Sequence, residues 1–333
     1  MKLAGSRRTL GLAAGVIAVG GGVALGMVTA APARAFEFRY QVALAPLPAQ
    51  AEELRLWIPL ASTTPHQTIR ARKIRAPGVY EIRRDPDYGN EFLYLALHRP
   101  LPPTVDVEIA YRATTQRETF PLVATSTLER LTGPGWQRHL RSDTLMCVDD
   151  QVRALAHEVT AGRPTPLEKA RAVWEFVLTN MVYDKQTPGY GQGDTRRACT
   201  IGRGNCTDFH SLFISLARAA DVPARFHIGA MLPAASEAEI PGYHCWAEVY
   251  MPAVGWVPVD ASEAWKHPER AATYFGTYDG QRFLVSTGRD IRLDPPPTNH
   301  QPVNIFIYPL VEVDGRPFDQ VKTTFQFKEE GRR

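Results

Sequence analysis

Apolar and polar residues alternate with a period of two from Phe36 to about Thr119. FEFRYQVAL, LRLWIPL, EFLYLAL and VDVEIAYRAT each read as a half-buried strand, and turn-formers such as APGVY and DPDYGN divide them. The pattern predicts a small antiparallel sandwich over 36–120. Residues 120 to 143 follow neither the strand nor the helix period and read as a connection. After them the period lengthens. Asp149-Asp150 offers a cap for a helix through Val152, Leu155, Ala156 and Val159, stopping at Ala161-Gly162. Thr165-Pro166-Leu167-Glu168 joins a capping box to a first-turn proline, and Leu167, Ala170, Val173, Trp174, Val177, Leu178 and Met181 continue at helical spacing. A glycine-rich polar stretch, Thr187 to Gly204, precedes a third helix. Its residues Phe209, Leu212, Phe213, Leu216, Ala217 and Ala220 predict burial on one face, and Pro223 stops it. Ala224 to Met231 reads as a strand. A hairpin turning at Ala253-Val254-Gly255 follows, and then the strand-like QRFLVS, PVNIFIYPLVEVDG and KTTFQFK.

The first 35 residues follow another logic. MKLAGSRRTLG supplies a basic start, Thr9 to Ala33 is uncharged, and Ala33-Arg34-Ala35 forms an A-x-A site before Phe36. Residues 1–35 therefore read as an export signal, placing the mature protein in the periplasm. Ser6-Arg7-Arg8-Thr9-Leu10 resembles a twin-arginine signal, with Leu10 where phenylalanine is commoner. A Sec signal is one alternative. An uncleaved anchor is another, because the uncharged stretch is long enough to span a bilayer. The membrane is expected as a partner only through this segment.

The remainder is ordinary globular material: of 333 residues, 44% are hydrophobic and 22% charged, enough for two domains with cores of their own. These are expected at 36–120, the sandwich, and 145–330, an α+β domain with C-terminal strands. The net charge of +3 is dispersed, with no Lys/Arg block, so no nucleic-acid partner is expected. Four cysteines are too few for a disulfide scaffold at this length, though one bridge among Cys147, Cys199 and Cys245 is compatible with export.

Candidate chemistry concentrates around Cys206. Gly202, Gly204 and Asn205 leave room above it, and Asn205-x-x-Asp208 reads as a helix cap. The thiol then lies in the first turn, where unpaired N–H groups and the helix dipole favour a thiolate. His244 opens a strand, His244-Cys245-Trp246-Ala247-Glu248-Val249-Tyr250, whose return partner Trp256-Val257-Pro258-Val259-Asp260 ends in a carboxylate. Antiparallel return brings Asp260 within a residue or two of the position opposite His244, about 5 Å away. A carboxylate there orients one imidazole nitrogen and leaves the other for the Cys206 proton. Alternation turns Cys245 away from His244, toward the far side of the sheet, as core or half of a disulfide.

Gly204-Asn205-Cys206-Thr207-Asp208, Asp221-Val222-Pro223-Ala224-Arg225, His244-x-Trp246-x-Glu248-Val249 and Gly255-Trp256-Val257-Pro258-Val259-Asp260 together resemble the core of the transglutaminase-like superfamily. The resemblance covers about Pro166 to Ala261. It implies a papain-like arrangement, a cysteine-bearing helix on an antiparallel sheet, preceded by the β-sandwich. It also implies a thiol acyl-transfer enzyme with Cys206 as nucleophile, His244 as base and Asp260 as orienter. Tyr183 matches an aromatic often found near the active site in relatives; Tyr183, Asn205 and Trp246 are the expected cleft-lining residues. Bacterial relatives are more often regarded as cysteine peptidases, so peptide, protein or peptidoglycan-type amides are the expected substrates. Transfer to an amine, as in a protein-glutamine transglutaminase, is the alternative. A non-catalytic peptide or cell-wall binding module of the same fold is the rival from another class.

Other candidates are weaker. His210 lies four residues after Cys206, a spacing that chelates a metal on one helix face, but the usual paired ligands are lacking. His157-Glu158 is not followed by a second histidine at the zincin offset. Asp85-Pro86-Asp87-Tyr88-Gly89-Asn90 has the residues of a calcium loop without its spacing and reads as a turn. No metal or cofactor is expected. Trp246 and Trp256 read as supports of the hairpin, and Glu248 as a hydrogen-bonding partner for Trp246 or a loop. Gly288-Arg289-Asp290 and Pro309 to Gly315 read as loops beside a sheet; the sequence does not show whether they flank a cleft.

Overall fold

The computed structural model describes residues 33–124 and 134–331. Residues 1–32, which carry most of the expected export signal, lie outside the described residues. The first strand, Arg34–Leu44, starts at the A-x-A site itself, with Arg34 opposite Thr115 and Phe36 fully buried. Among the described residues no helix is long and apolar enough to cross a membrane.

Alternation, strict in Arg34–Leu44 and Asp106–Thr115, builds a sandwich of two five-stranded sheets. One runs in the order Glu237–Ile240, Val321–Glu329, Arg34–Leu44, Asp106–Thr115, Gln67–Arg75. The other runs Arg316–Pro317, Leu310–Val313, Glu53–Leu60, Glu91–His98, Tyr80–Arg84. Their inward side chains, among them Phe38, Tyr40, Leu56, Ile58, Leu93 and Ile109, share one apolar core. The strands after residue 309 were grouped above with the α+β domain, but they hydrogen-bond into this sandwich. Val321–Glu329 lies along the whole first strand, from Phe36 opposite Glu329 to Leu44 opposite Val321. Alternation identifies a strand but is silent on which sheet it joins, because that pairing spans nearly the whole chain.

The second layer is a four-stranded antiparallel sheet, Gly255–Val259, His244–Met251, Ala224–Met231, Arg282–Thr287, with helices on one face. Its last strand is an edge, and the sandwich covers it. The Gln67 side chain donates to Leu284 O (2.9 Å) and accepts from Leu284 N (2.8 Å). Asn90 does the same for Thr287, at 2.8 and 2.7 Å. Two side-chain amides thus stand in for a strand partner and satisfy an otherwise open edge. Phe283 of that strand enters the sandwich core, its ring centroid 4.6 Å from that of Phe38 and 5.5 Å from that of Phe36.

The helix Cys206–Ala219 is buried on every face through Arg218, not on one. Strands Ala224–Met231 and His244–Met251 pack on one side of it, and helices Asp150–Val159, Pro166–Asn180 and Thr195–Ile201 on others. Its polar residues are satisfied inside the protein: Arg218 pairs with Asp143 at 2.6 Å, Ser215 with Thr195 at 2.8 Å and Ser211 with Arg289 at 2.9 Å. The short helix Thr195–Ile201 lies within the stretch read as glycine-rich loop. Asp194 caps it and left-handed Gly202 ends it.

Candidate active site

Asn205 caps the Cys206 helix, its side chain accepting from Thr207 N at 2.8 Å, and Asp208 returns the favour to Asn205 N at 2.9 Å. The same Asp208 carboxylate accepts from Gly191 N (2.7 Å) and Gly193 N (3.1 Å), so it staples the glycine-rich stretch onto the helix start. Glycine is required there for space. A Cβ on Gly204 would lie 2.1 Å from Asp208 Oδ2, and one on Gly193 would lie 2.4 Å from Ser211 Oγ. The small, turn-prone lead-in to Cys206 is therefore the packing surface that fixes where the helix begins.

His244 opens its strand, and Asp260 follows the last residue of the return strand. Val259 pairs with Ala247, and His244 Nε2 donates to Asp260 Oδ2 at 2.7 Å. Asp260 is also the cap of the next helix, Ala261–Lys266; its Oδ1 accepts from Glu263 N at 3.0 Å and Ser262 Oγ at 3.0 Å. Its Oδ2 takes a second charged partner, Arg282, at 2.8 and 3.2 Å, and Arg282 in turn pairs with Asp279 at 2.8 Å. Arg282 was invisible to sequence reasoning. A buried arginine opening a strand looks like any edge-strand charge until its partner is placed.

The electrostatics follow from these contacts. Burial opposes charge on His244, but Asp260 and then the Cys206 sulfur outweigh it and push the imidazole up to about 9. Burial also opposes charge on Asp260, yet His244 and Arg282 hold it well below the usual carboxylate range. The Cys206 thiol is held well below the ordinary thiol range by a hydrogen bond from Cys245 and, against burial, by its hydrogen bond to His244. The arrangement is that of a thiolate–imidazolium pair at neutral pH. His210 takes no part in charge. Ala261 N can only donate to its Nε2 (3.1 Å), so the ring proton sits on Nδ1 and donates to Cys206 O at 2.7 Å. Burial keeps this ring neutral. With both nitrogens engaged, His210 ties the Cys206 backbone to the Asp260 turn and has no lone pair free for the metal role weighed above.

Residues 153–261 match the model of the transglutaminase-like superfamily. This chain carries a transglutaminase-like core. An uncharacterized protein of Haemophilus influenzae is 28% identical over 310 residues, covering 80% of this chain and 82% of its own. The solved structure of a candidate cysteine protease from Cytophaga hutchinsonii aligns at TM-score 0.58 over 91% of this chain and 93% of its own. At 17% identity, that likeness is one of fold. The periplasmic domain of TgpA from Pseudomonas aeruginosa covers 70% of this chain and 89% of its own, with 18% identity and TM-score 0.36.

Within the transglutaminase-like core, Cys245 departs from expectation. Alternation does turn it from His244, but the face it enters carries the Cys206 helix, not a remote layer. Its Sγ lies 3.6 Å from Oγ1 of Thr207, the residue that follows Cys206. All four cysteines are free thiols, so the bridge considered among Cys147, Cys199 and Cys245 is not formed.

The three residues expected to line a cleft lie differently from one another. Tyr183 is half-buried opposite Gly204, stacked on Trp265 at 6.5 Å with Lys266 Nζ 4.1 Å from its ring centroid. Asn205 spends its amide on Tyr243 Oη (3.1 Å), which also meets Thr207 Oγ1 at 3.0 Å. Tyr308, 42% exposed and edge-on to Tyr243 at 6.1 Å, brings the C-terminal segment to this rim. Trp246 is 1% exposed and lies between two imidazoles, its ring 6.2 Å from His244 and 5.7 Å from His227 and nearly parallel to both. Glu248 was expected to hold Trp246 or a loop; its carboxylate instead binds His227 Nε2 (2.6 Å), Arg225 Nε (2.5 Å) and Tyr278 Oη (2.5 Å).

Proposed function

We propose that this protein is an exported thiol acyl-transfer enzyme, most simply a cysteine peptidase or amidase acting on peptide or cell-wall amides in the periplasm. The observation that carries this reading is one chain of contacts: a first-turn thiol held toward thiolate, an imidazole hydrogen-bonded to it, and a carboxylate 2.7 Å from the imidazole's other nitrogen. The Cys206 thiolate attacks the amide carbonyl, and the carbonyl electron pair moves to oxygen. The Cys206 N–H, which as the first of its helix has no partner within that helix, is available to the oxyanion. Collapse expels the amine, which takes the His244 proton, and leaves a thioester on Cys206. His244 then removes a proton from water, whose oxygen displaces the thiolate and releases a carboxylic acid. Asp260 holds the imidazole with Nε2–H toward itself, and Arg282 keeps Asp260 charged.

An amine in place of water gives transamidation by the same steps. Hydrolysis is preferred because resemblance to bacterial relatives favours it, and the fold neighbour from Cytophaga hutchinsonii bears a protease name. Labelling with a thiol-reactive acyl probe tests the chemistry: the wild type reacts, and Cys206→Ala does not while remaining folded. Labelling that persists in Cys206→Ala, or that falls on Cys199 or Cys245, refutes the nucleophile. Incubation with periplasmic peptides and peptidoglycan fragments in heavy-oxygen water, with a primary amine present, then separates the outcomes. Heavy oxygen in the new carboxylate marks hydrolysis, and an amine adduct marks transfer.

A further inference from the structure

We propose that Cys206 and Cys245 form a site of reversible thiol oxidation, at which a hydroperoxide oxidises Cys206 and Cys245 resolves the product as a Cys206–Cys245 disulfide. The proposal goes beyond acyl transfer and does not depend on it.

Three observations converge. The two cysteines are neighbours: Cys245 is the second residue of the strand on whose face the Cys206 helix begins, and its Sγ lies 3.6 Å from Oγ1 of Thr207, the residue after Cys206. They differ in access. Cys206 retains 3% exposure and Cys245 has none, so a small oxidant meets Cys206 first and a bulky alkylating agent cannot reach Cys245. They also differ in charge state. Cys206 is held toward thiolate, whereas burial and then the hydrogen bond and charge of the Cys206 sulfur push Cys245 well above the ordinary thiol range. The remaining thiols do not compete. Burial pushes Cys199 up to about 11, and burial together with Asp149, 3.7 Å away, raises Cys147.

The chemistry balances without a metal. The Cys206 thiolate attacks the outer oxygen of ROOH, an S–O bond forms as the O–O bond breaks, and the alkoxide takes the His244 proton and leaves as ROH. Sulfur has lost two electrons and stands as sulfenic acid. The negative charge that kept Cys245 protonated is then gone. The Cys245 sulfur attacks the sulfenic sulfur, hydroxide departs, and the Cys245 proton completes water. A dithiol reductant reverses the step by thiol–disulfide exchange. Thr207, whose Oγ1 lies beside Cys245, holds that thiol on the side of the helix start. Cys245 thereby spares Cys206 from the further, irreversible steps to sulfinic and sulfonic acid.

The experiment uses the purified protein and hydrogen peroxide at slight excess, read by mass of the intact chain and of its peptides. Wild type is expected to lose two hydrogens, to yield a Cys206–Cys245 cross-linked peptide, and to recover Cys206 labelling by iodoacetamide after dithiothreitol. Cys245→Ser is expected to gain two or three oxygens at Cys206 instead, with labelling lost for good; Cys245→Ala serves equally if the serine variant does not fold. Overoxidation of wild-type Cys206 at the rate seen in the variants overturns the proposal, as does a disulfide that joins another pair. Because the readout is mass rather than turnover, an absence of acyl-transfer activity leaves this test intact.

Discussion

In the front cluster His244 Nε2 lies 2.7 Å from Asp260 and Arg282 approaches the same carboxylate at 2.8 Å. In the rear cluster His227 Nε2 lies 2.6 Å from Glu248 and Arg225 approaches at 2.5 Å. The strands bearing the two histidines are hydrogen-bonded neighbours, and the Trp246 ring lies between the imidazoles. Both carboxylates are fully buried and held below the carboxylate range by their histidine and arginine partners, against burial. The difference is at Nδ1. On His244 that nitrogen faces the Cys206 thiol. On His227 it meets Thr287 Oγ1 at 2.9 Å, and burial pushes this imidazole down rather than up. A carboxylate–histidine–arginine cluster is thus a common way to satisfy a buried strand, and it becomes a candidate catalytic base only where its free nitrogen meets a nucleophile.

The largest expected effect breaks the symmetry at the histidines. His244→Gln should reduce acylation on the order of 10⁶-fold, as loss of a base that acts as a unit with its nucleophile does elsewhere. His227→Gln keeps a donor toward Glu248 and should stay within about tenfold of wild type in turnover. Stopped-flow acylation of both variants checks this, and equal losses would make the rear cluster part of the machinery.

The carboxylates come next. Asp260→Asn should lower turnover by about 10⁴-fold with KM little changed, because the amide favours the wrong imidazole tautomer. A near-normal rate would mean that another acid, Glu248 or Glu263, orients the ring. Glu248→Gln should act on stability instead, costing about 3–5 kcal/mol by leaving Arg225 without its buried counter-charge. Urea titration and initial rates on the same samples separate the two kinds of loss.

A smaller effect distinguishes the clusters by pH. The folded-state value of His244, about 9, lies above its unfolded value near 6.5. Its charge therefore stabilises the fold in full below about 6.5, and that contribution fades as pH rises through about 9. Iodoacetamide alkylation of Cys206 should show the loss of the ion pair over the same range. His227 is depressed, so it stays neutral through this range and adds nothing to the slope. A stability profile in which His244→Gln removes no pH dependence between about 6.5 and 9 would contradict the ion pair.

Much of this site could be read from the chain, and the unread part has a physical cause. Asn205 and Asp208 announce a helix start by local chemistry, and the His244 hairpin fixes Asp260 by register; both signals act within a few residues or across one turn. Arg282, Cys245 and His210 are different. Arg282 starts one edge strand of the sheet and Asp260 follows the other, and Cys245 lies by the start of the Cys206 helix only because that helix packs on the face that alternation assigns to core. His210 reads as a metal candidate or a packing residue until Ala261 N is placed against it. The same limit hid the partner of the C-terminal strand, whose pairing spans from Phe36 to Glu329. Contacts that join distant segments leave no period to read.

The smallest effect concerns the ring between the clusters. Trp246 was expected at the cleft, yet it lies 1% exposed behind His244, tilted 19° from that imidazole and 25° from His227. A flat, buried neighbour of this kind restricts rotation of the imidazole about the Asp260 hydrogen bond without touching an acyl group. Trp246→Phe preserves an aromatic face in the same rotamer space, so it should slow acylation by less than about tenfold, or about 1.4 kcal/mol, and leave KM unchanged. Trp246→Ala removes the face and opens a cavity, and should instead lose about 3–5 kcal/mol of stability. The split between kcat and KM in the phenylalanine variant decides the role. A raised KM at normal kcat would place the indole against substrate, as the sequence led one to expect. A lowered kcat at constant KM would make Trp246 the spacer that holds the reactive histidine and its unreactive counterpart in parallel.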